Sequence, residues 1–220
     1  MKLRITDFRD ALAIIGSTDE KGEIKYPVLF QRYSELIEAL ESISDEEIIN
    51  LFNEEQARKI AENKSKVKSL SIAINELIRQ RLSKYCEWQA ESYIFDDDDY
   101  STSVPDGTEW RLDFASEGAL AVEVAFNHGE AIAWNLSKLQ ISAELNHVRK
   151  AINTKVGIYI CATNDMKKAG NFDPASGSYE KVKRYFTPMR NILTAPIVLI
   201  GLEAPESFFV NSASREIVIK

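Results

Sequence analysis

The sequence predicts an α/β fold, in which a mixed, partly parallel sheet is flanked by helices and preceded by a helical region. Three observations lead there. The first 85 residues carry apolar side chains at helical spacing. From residue 88 onward the pattern changes to short apolar runs bounded by turn residues. In the second half those runs alternate with helical segments, and a strand–helix–strand order implies a crossover connection and parallel pairing.

The elements follow in order. Residues 5–15 and 27–42 show helical spacing, the second through Leu29, Tyr33, Leu36, Ile37 and Leu40. Ser44 and Asp45 suit a cap before a short helix over 46–53. Residues 54–84 hold no Gly or Pro, and Val67, Leu70, Ile74, Leu77, Ile78 and Leu82 mark one stripe, which predicts one long helix. Residues 88–95 read as a strand, 96–109 as a loop with turn residues Pro105, Asp106 and Gly107, and 110–115 as a second strand. Ser116–Gly118 make a turn, so 119–126 pairs with 110–115 as a hairpin. A helix over 131–152 leads to the apolar run 156–162, a buried strand. A Gly-rich loop, a helix over 178–191, a buried strand over 196–202 and a last edge strand over 215–219 complete the chain. Residues 1–85 are read as a helical region packed on a core of residues 86–220, together one domain.

Composition narrows the function less than the fold. At 220 residues and 45% apolar content the chain can bury a sizeable core. No apolar stretch of roughly 18 residues exists, so no membrane span is expected. The opening residues MKLRITDFRDAL lack the apolar region of a signal peptide, and a cytoplasmic protein is expected. Cys86 and Cys161 lack metal-ligand spacing and are expected to be buried, reduced thiols. The net charge of −7 weighs against nucleic acid, but the segment 149–190 is basic, with Arg149, Lys150, Lys167, Lys168, Lys181 and Arg184 among its cations.

The chemistry concentrates between Trp110 and Phe126, W-R-L-D-F-A-S-E-G-A-L-A-V-E-V-A-F. Glu123 lies inside an apolar strand, where a carboxylate is costly unless it is paired or binds a cation. Asp113 approaches it across the hairpin. Two carboxylates and a backbone carbonyl, such as that of Val124, make an oxygen cage for Mg²⁺, which polarises phosphate and activates water. An ordinary hairpin with a solvent-facing Glu123 gives the same spacing, so spacing alone leaves both readings open.

The surroundings of this stretch resemble the BglII/BstYI family of restriction endonucleases, of the PD-(D/E)xK fold. N-E-L (75–77) in a helix is followed by Trp88, then L-D-F (112–114), A-V-E-V-A-F (121–126), W-N-L-S-K-L (134–139), V-G-I-Y-I (156–160), Y-E-K-V (179–182) and A-P-I-V-L-I-G-L (195–202). The resemblance covers roughly residues 64–202 and rests on the ordered set. It implies a type II site-specific deoxyribonuclease that cuts palindromic duplex DNA as a homodimer. Asp113 and Glu123 would bind Mg²⁺, with Mn²⁺ able to substitute. Asn75 would be an outer member of the catalytic site. Asn127 and His128 match a base-reading position, and the loop carrying Asn164, Lys167 and Lys168 would approach the major groove.

One position departs from the pattern. The residue two after Glu123 positions the attacking water in such enzymes, and here it is Ala125, which can neither hold water nor stabilise charge. Three explanations stand open: an inactivated variant, a homologue whose polar group has migrated to Glu109, Glu117, Asn127 or Lys138, or a DNA-binding relative without catalysis. An unrelated small-molecule enzyme on an α/β scaffold is a further alternative.

Among other residues, the run Asp96–Asp99 reads as a solvated loop and His147 as a surface or interface histidine. Gly170–Gly177 lacks the G-K-[ST] of a phosphate-cradling loop. The helix over 131–152 has more apolar residues than one stripe needs. It either covers a second copy of the chain or is a buried crossover.

Overall fold

Two uninterrupted apolar runs form the centre of a sheet. The structure, a computed structural model, describes residues 1–96, 110–144 and 149–220. Strands β5 (Val156–Ala162) and β6 (Ile197–Leu202) are buried at every position, as strands covered on both faces must be. Alternate residues serve the two faces. Ile158, Ile160, Val198 and Ile200 pack under helices α2 (Pro27–Glu41), α3 (Asp45–Ala61) and α4 (Ser71–Leu82). Tyr159, Cys161, Ile197 and Leu199 pack under α5 (Ile132–Glu144) and α7 (Tyr179–Phe186). Each fully buried Ile, Leu or Val contributes about 1.5–3 kcal/mol. Gly157 lets α5 approach closely, since a Cβ there would sit 2.9 Å from that of Leu139.

The sheet has six strands in the order β1-β6-β5-β4-β3-β2. β4 (Leu120–Val124), β5 and β6 are parallel, while β1 (Leu3–Phe8), β2 (Gln89–Tyr93) and β3 (Arg111–Ser116) are antiparallel to their neighbours. The turn between β3 and β4 uses Gly118 at φ 69°. This is the mixed α/β sheet flanked by helices that the sequence predicts.

Several boundaries differ. Residues 5–15 are not one helix: 3–8 form β1, which runs from Leu3 opposite Leu202 to Phe8 opposite Ile197. Only α1 (Ala11–Ile15) is helical, after Arg9 and Asp10 turn the chain at positive φ. Without β1 the buried β6 would present an unpaired edge, and that long-range demand overrides local helical spacing. Residues 1–85 are therefore not a purely helical region, because they complete the core sheet. The long helix expected over 54–84 is also broken. α3 starts at a capping box between Ser44 and Glu47 and runs to Ala61. Asn63 then takes φ 54°, filling the role of a terminating glycine. Gln56 holds the break, accepting from Val67 N (2.6 Å) and donating to the Arg215 carbonyl (2.7 Å).

The expected Gly-rich loop contains a short helix, α6 (Asn164–Ala169), capped by Thr163. The helix expected over 131–152 ends by Glu144 in the described residues, and Lys150 bridges Phe95 instead. Its faces are largely core: Ile132, Leu136 and Leu139 are buried, and Trp134 is 40% exposed. The last strand, β8 (Ile217–Ile219), pairs with an unpredicted β7 (Phe208–Val210) in a separate two-stranded sheet.

Candidate active site

The β3–β4 hairpin carries both predicted carboxylates. Its ladder pairs Ser116 with Leu120, Ala115 with Ala121 and Phe114 with Val122, and one further step sets Asp113 opposite Glu123. There the Val124 N–H donates to Asp113 Oδ2 at 2.6 Å. This bond fixes Asp113 on the Glu123 side of the strand pair.

Glu123 is 3% exposed, on the face of β4 that looks at α5. From α5, Lys138 extends its ammonium to 2.7 Å from Glu123 Oε1. The same Nζ donates to the Arg111 carbonyl at 2.9 Å. The contact with Glu123 is the ion pair that partly offsets the burial of its carboxylate. Burial, and next the neighbouring Asp113, push the Glu123 carboxyl up to about 8 against the opposing pull of Lys138. Burial likewise raises Asp113, opposed by the Val124 N–H and by Lys138.

A ring of charge surrounds the pair. Glu91 on β2 lies across from Asp113 and is held by Arg79 on α4 (3.0 Å) and Arg111 on β3 (2.8 Å). Its backbone sits at φ 54°, an unusual conformation for a non-glycine residue inside a strand. The sequence reading missed all three of these residues. The signal available was one charged residue in each of three elements, too common a pattern to single out.

The remaining predicted residues divide. Asn75 is exposed on α4, one turn before Arg79 and on the same helical face, and hydrogen-bonds neither carboxylate. Ala125 is 3% exposed in the apolar core, its N–H bonded to the Ile160 carbonyl at 2.8 Å. Of the four residues considered as substitutes, Lys138 reaches Glu123. Glu117 instead accepts from Asn153 N at the turn (3.0 Å), the Asn127 carbonyl accepts from Gly177 N (3.0 Å), and Glu109 lies outside the described residues.

The predicted DNA-facing residues share one region. Asn127 and His128 are exposed just after β4. His128 bridges Ser176, and Gly129 N donates to the Ala175 carbonyl at 2.8 Å. Lys167 on α6 donates to the carbonyls of Pro174 (3.1 Å) and Ser176 (2.6 Å), so its ammonium ties the same loop to α6. Asn164 and Lys168 are exposed on that helix. Asp96 pairs with Arg149 (2.7 Å), while Asp97–Asp99 and His147 lie outside the described residues. Cys161 is buried as expected, but Cys86 is exposed, and both are free thiols.

Among the described residues no cluster of three or more His, Cys, Asp or Glu is set to hold a metal. The two hairpin carboxylates, set opposite each other across the strand pair, still suit a hard divalent cation completed by backbone oxygen and water. No helix of the described residues is long and apolar enough to cross a membrane.

The sheet, its helices and the carboxylate hairpin are those of the restriction endonuclease-like α/β fold. The model of the family "Restriction endonuclease BglII/BglIII" matches residues 5–202. The chain therefore belongs to that family, a family of type II, site-specific DNA-cleaving enzymes that use divalent metal ions. Two solved structures share the fold. One is restriction endonuclease BglII complexed with a DNA 16-mer, at 21% identity and TM-score 0.62, covering 99% of this chain and 87% of that one. The other is free BglII, at 19% identity and TM-score 0.52, covering 99% and 91%. No curated protein matches the chain.

Proposed function

We propose that the chain hydrolyses phosphodiester bonds at a short palindromic site in double-stranded DNA, acting in the cytoplasm as a homodimer with Mg²⁺, or Mn²⁺ in its place. The observation that carries the proposal is the convergence of Asp113 and the buried Glu123 across the β3–β4 hairpin. Asp113, Glu123 and the Val124 carbonyl would hold the ion. A bound Mg²⁺ supplies Lewis acidity toward the phosphate and makes water a better nucleophile.

The chain's own residues do the rest. The Val124 N–H keeps the Asp113 carboxylate turned toward the site. Glu123 would hold the ion as the carboxylate, releasing the proton that burial otherwise favours. Asn127 and His128 face the bases from the end of β4, and Asn164 and Lys168 approach from α6, Lys168 as a phosphate contact. Lys167 acts indirectly by holding the 174–176 loop beside His128. Asn75 lies at the outer edge of the site on the face of α4 that carries Arg79. The BglII structure complexed with a DNA 16-mer supports DNA as the substrate. A twofold homodimer presents these elements twice, which matches a palindrome.

The test is incubation of a long duplex of mixed sequence with the chain and Mg²⁺ or Mn²⁺. Discrete fragments that disappear with EDTA and with Asp113→Ala are expected. Absence of cleavage by the chain and by Ala125→Gln, with no DNA retention at low salt, overturns the proposal.

A further inference from the structure

We propose that Lys138 supplies, from helix α5, the charged group that position 125 lacks: its ammonium holds the attacking water and the phosphate oxygen beside Glu123. The inference rests on the endonuclease reading of the Asp113–Glu123 site.

Position 125 lies one residue past the end of β4 and two residues from Glu123, about 6–7 Å along the extended chain, and both sit on the side facing α5. That face looks at α5, and Ala121, Glu123 and Ala125 lie along it. The alanines on both sides of Glu123 put no polar group beside the carboxylate, and Lys138 reaches it from the facing helix. A side chain rooted at residue 125 and one descending from residue 138 would approach Glu123 from the same side of the sheet. Alanine at 125 and lysine at 138 thus form a complementary pair.

The energetics argue against a purely structural lysine. α5 buries three polar residues, Asn135, Lys138 and Ser142. Two are satisfied within the core: Asn135 bonds Tyr159, and Ser142 bonds the Leu139 carbonyl and Thr154. Lys138 instead carries its ammonium to 8% exposure beside the buried Glu123, a pair that adds little net stability over apolar residues of similar volume at both positions. Its ammonium has three protons. One is given to the Arg111 carbonyl and one is directed at Glu123 Oε1, 2.7 Å away, which leaves a third for a water or phosphate oxygen beside the carboxylate.

In the proposed step the water oxygen bonds to phosphorus and the bond from phosphorus to the sugar oxygen breaks. One water proton passes to solvent, and the departing oxygen takes a proton from solvent. Lys138 keeps its protons, orienting the water and offsetting the charge that gathers on the phosphate oxygens.

The experiment compares the chain with Lys138→Met, Lys138→Arg and the double variant Lys138→Met/Ala125→Lys. For each, cleavage of mixed-sequence duplex in Mg²⁺, Ca²⁺ affinity by calorimetry and thermal unfolding are measured. The unmodified chain should cleave. Lys138→Met should slow cleavage by about a hundredfold or more, the usual effect of removing one transition-state donor. Ca²⁺ affinity, read well above the pH at which Glu123 ionises so that loss of the lysine's pull on that carboxyl does not enter, should not weaken, since a like charge beside the ion is removed. Moving the lysine to residue 125 should recover at least about tenfold of that loss, as expected when a positioned group is restored. A structural role would instead lower the unfolding temperature and Ca²⁺ affinity together, with no recovery. Cleavage by Lys138→Met within about threefold of the parent overturns the proposal, being far from the loss a transition-state donor gives. So does an inactive parent that Ala125→Gln activates, and in that case the endonuclease reading survives. Inactivity of every version with no DNA binding ends both.

Discussion

The buried carboxylate makes divalent-ion binding depend on pH in a calculable way. Burial, with Asp113 beside it, pushes Glu123 up to about 8 in the metal-free protein. A cation needs the carboxylate ionised, and at pH 7 only about one molecule in ten meets that condition. The apparent Kd should therefore be about tenfold weaker at pH 7 than at pH 9, and each ion bound at pH 7 should displace about one proton. Because the folded value lies above the ordinary 4.5, the protonated form stabilises the metal-free fold. That contribution is fully present below pH 4.5 and is lost as pH rises through about 8, an order of a few kcal/mol. Calorimetric titration with Ca²⁺ in two buffers of different protonation enthalpy, at pH 7 and pH 9, measures both quantities. Glu123→Gln should lose ion binding and should not share the destabilisation above neutral pH. An affinity independent of pH, with no proton displaced at pH 7, would mean that Glu123 is already ionised and that its burial has been misjudged.

Other perturbations follow from the same contacts. Asp113→Asn keeps an acceptor for the Val124 N–H and should fold like the parent while losing Ca²⁺ binding and cleavage; Asp113→Ala strands that N–H and should cost a further ~1–3 kcal/mol in urea unfolding. Arg32→Met leaves Glu35, to which the Trp88 indole also donates at 3.0 Å, as a buried carboxylate without its cation, and should lower unfolding stability by about 3–5 kcal/mol. An unchanged unfolding midpoint would refute that reading of the pair. Lys168→Ala should reduce the salt slope of DNA binding by about one and weaken all sequences equally. Lys167→Ala frees the 174–176 loop and should reduce discrimination between sites, read by competition binding.

The parts legible in the sequence are those whose signal is local. The runs 156–162 and 196–202 announce strands covered on both faces, and the Ser116–Gly118 turn announces the hairpin that carries Asp113 and Glu123. β1 is illegible locally because its reason to be a strand lies at residues 197–202, where β6 needs a partner. The break after Ala61 is hidden because Asn63, not Gly or Pro, adopts the left-handed conformation. Lys138 is half legible: a lysine within an apolar helical run is visible, but only the packing of α5 on β4 brings it to Glu123. Glu91, Arg79 and Arg111 are charged residues on three separate elements, and only the fold assembles them.

The pairing of β1 with β6 also bears on how the enzyme matures. Residues 3–8 have no sheet partner until residues 197–202 have been made, so during synthesis that edge closes last. The carboxylate hairpin is local and can form early, but β4, the strand that carries Glu123, waits for β5 to flank it and β5 for β6. Such distant pairings fold slowly compared with local ones. A growing chain thus holds the Asp113–Glu123 hairpin without its flanking strands for most of its translation, which delays completion of the pair until the last strands are made.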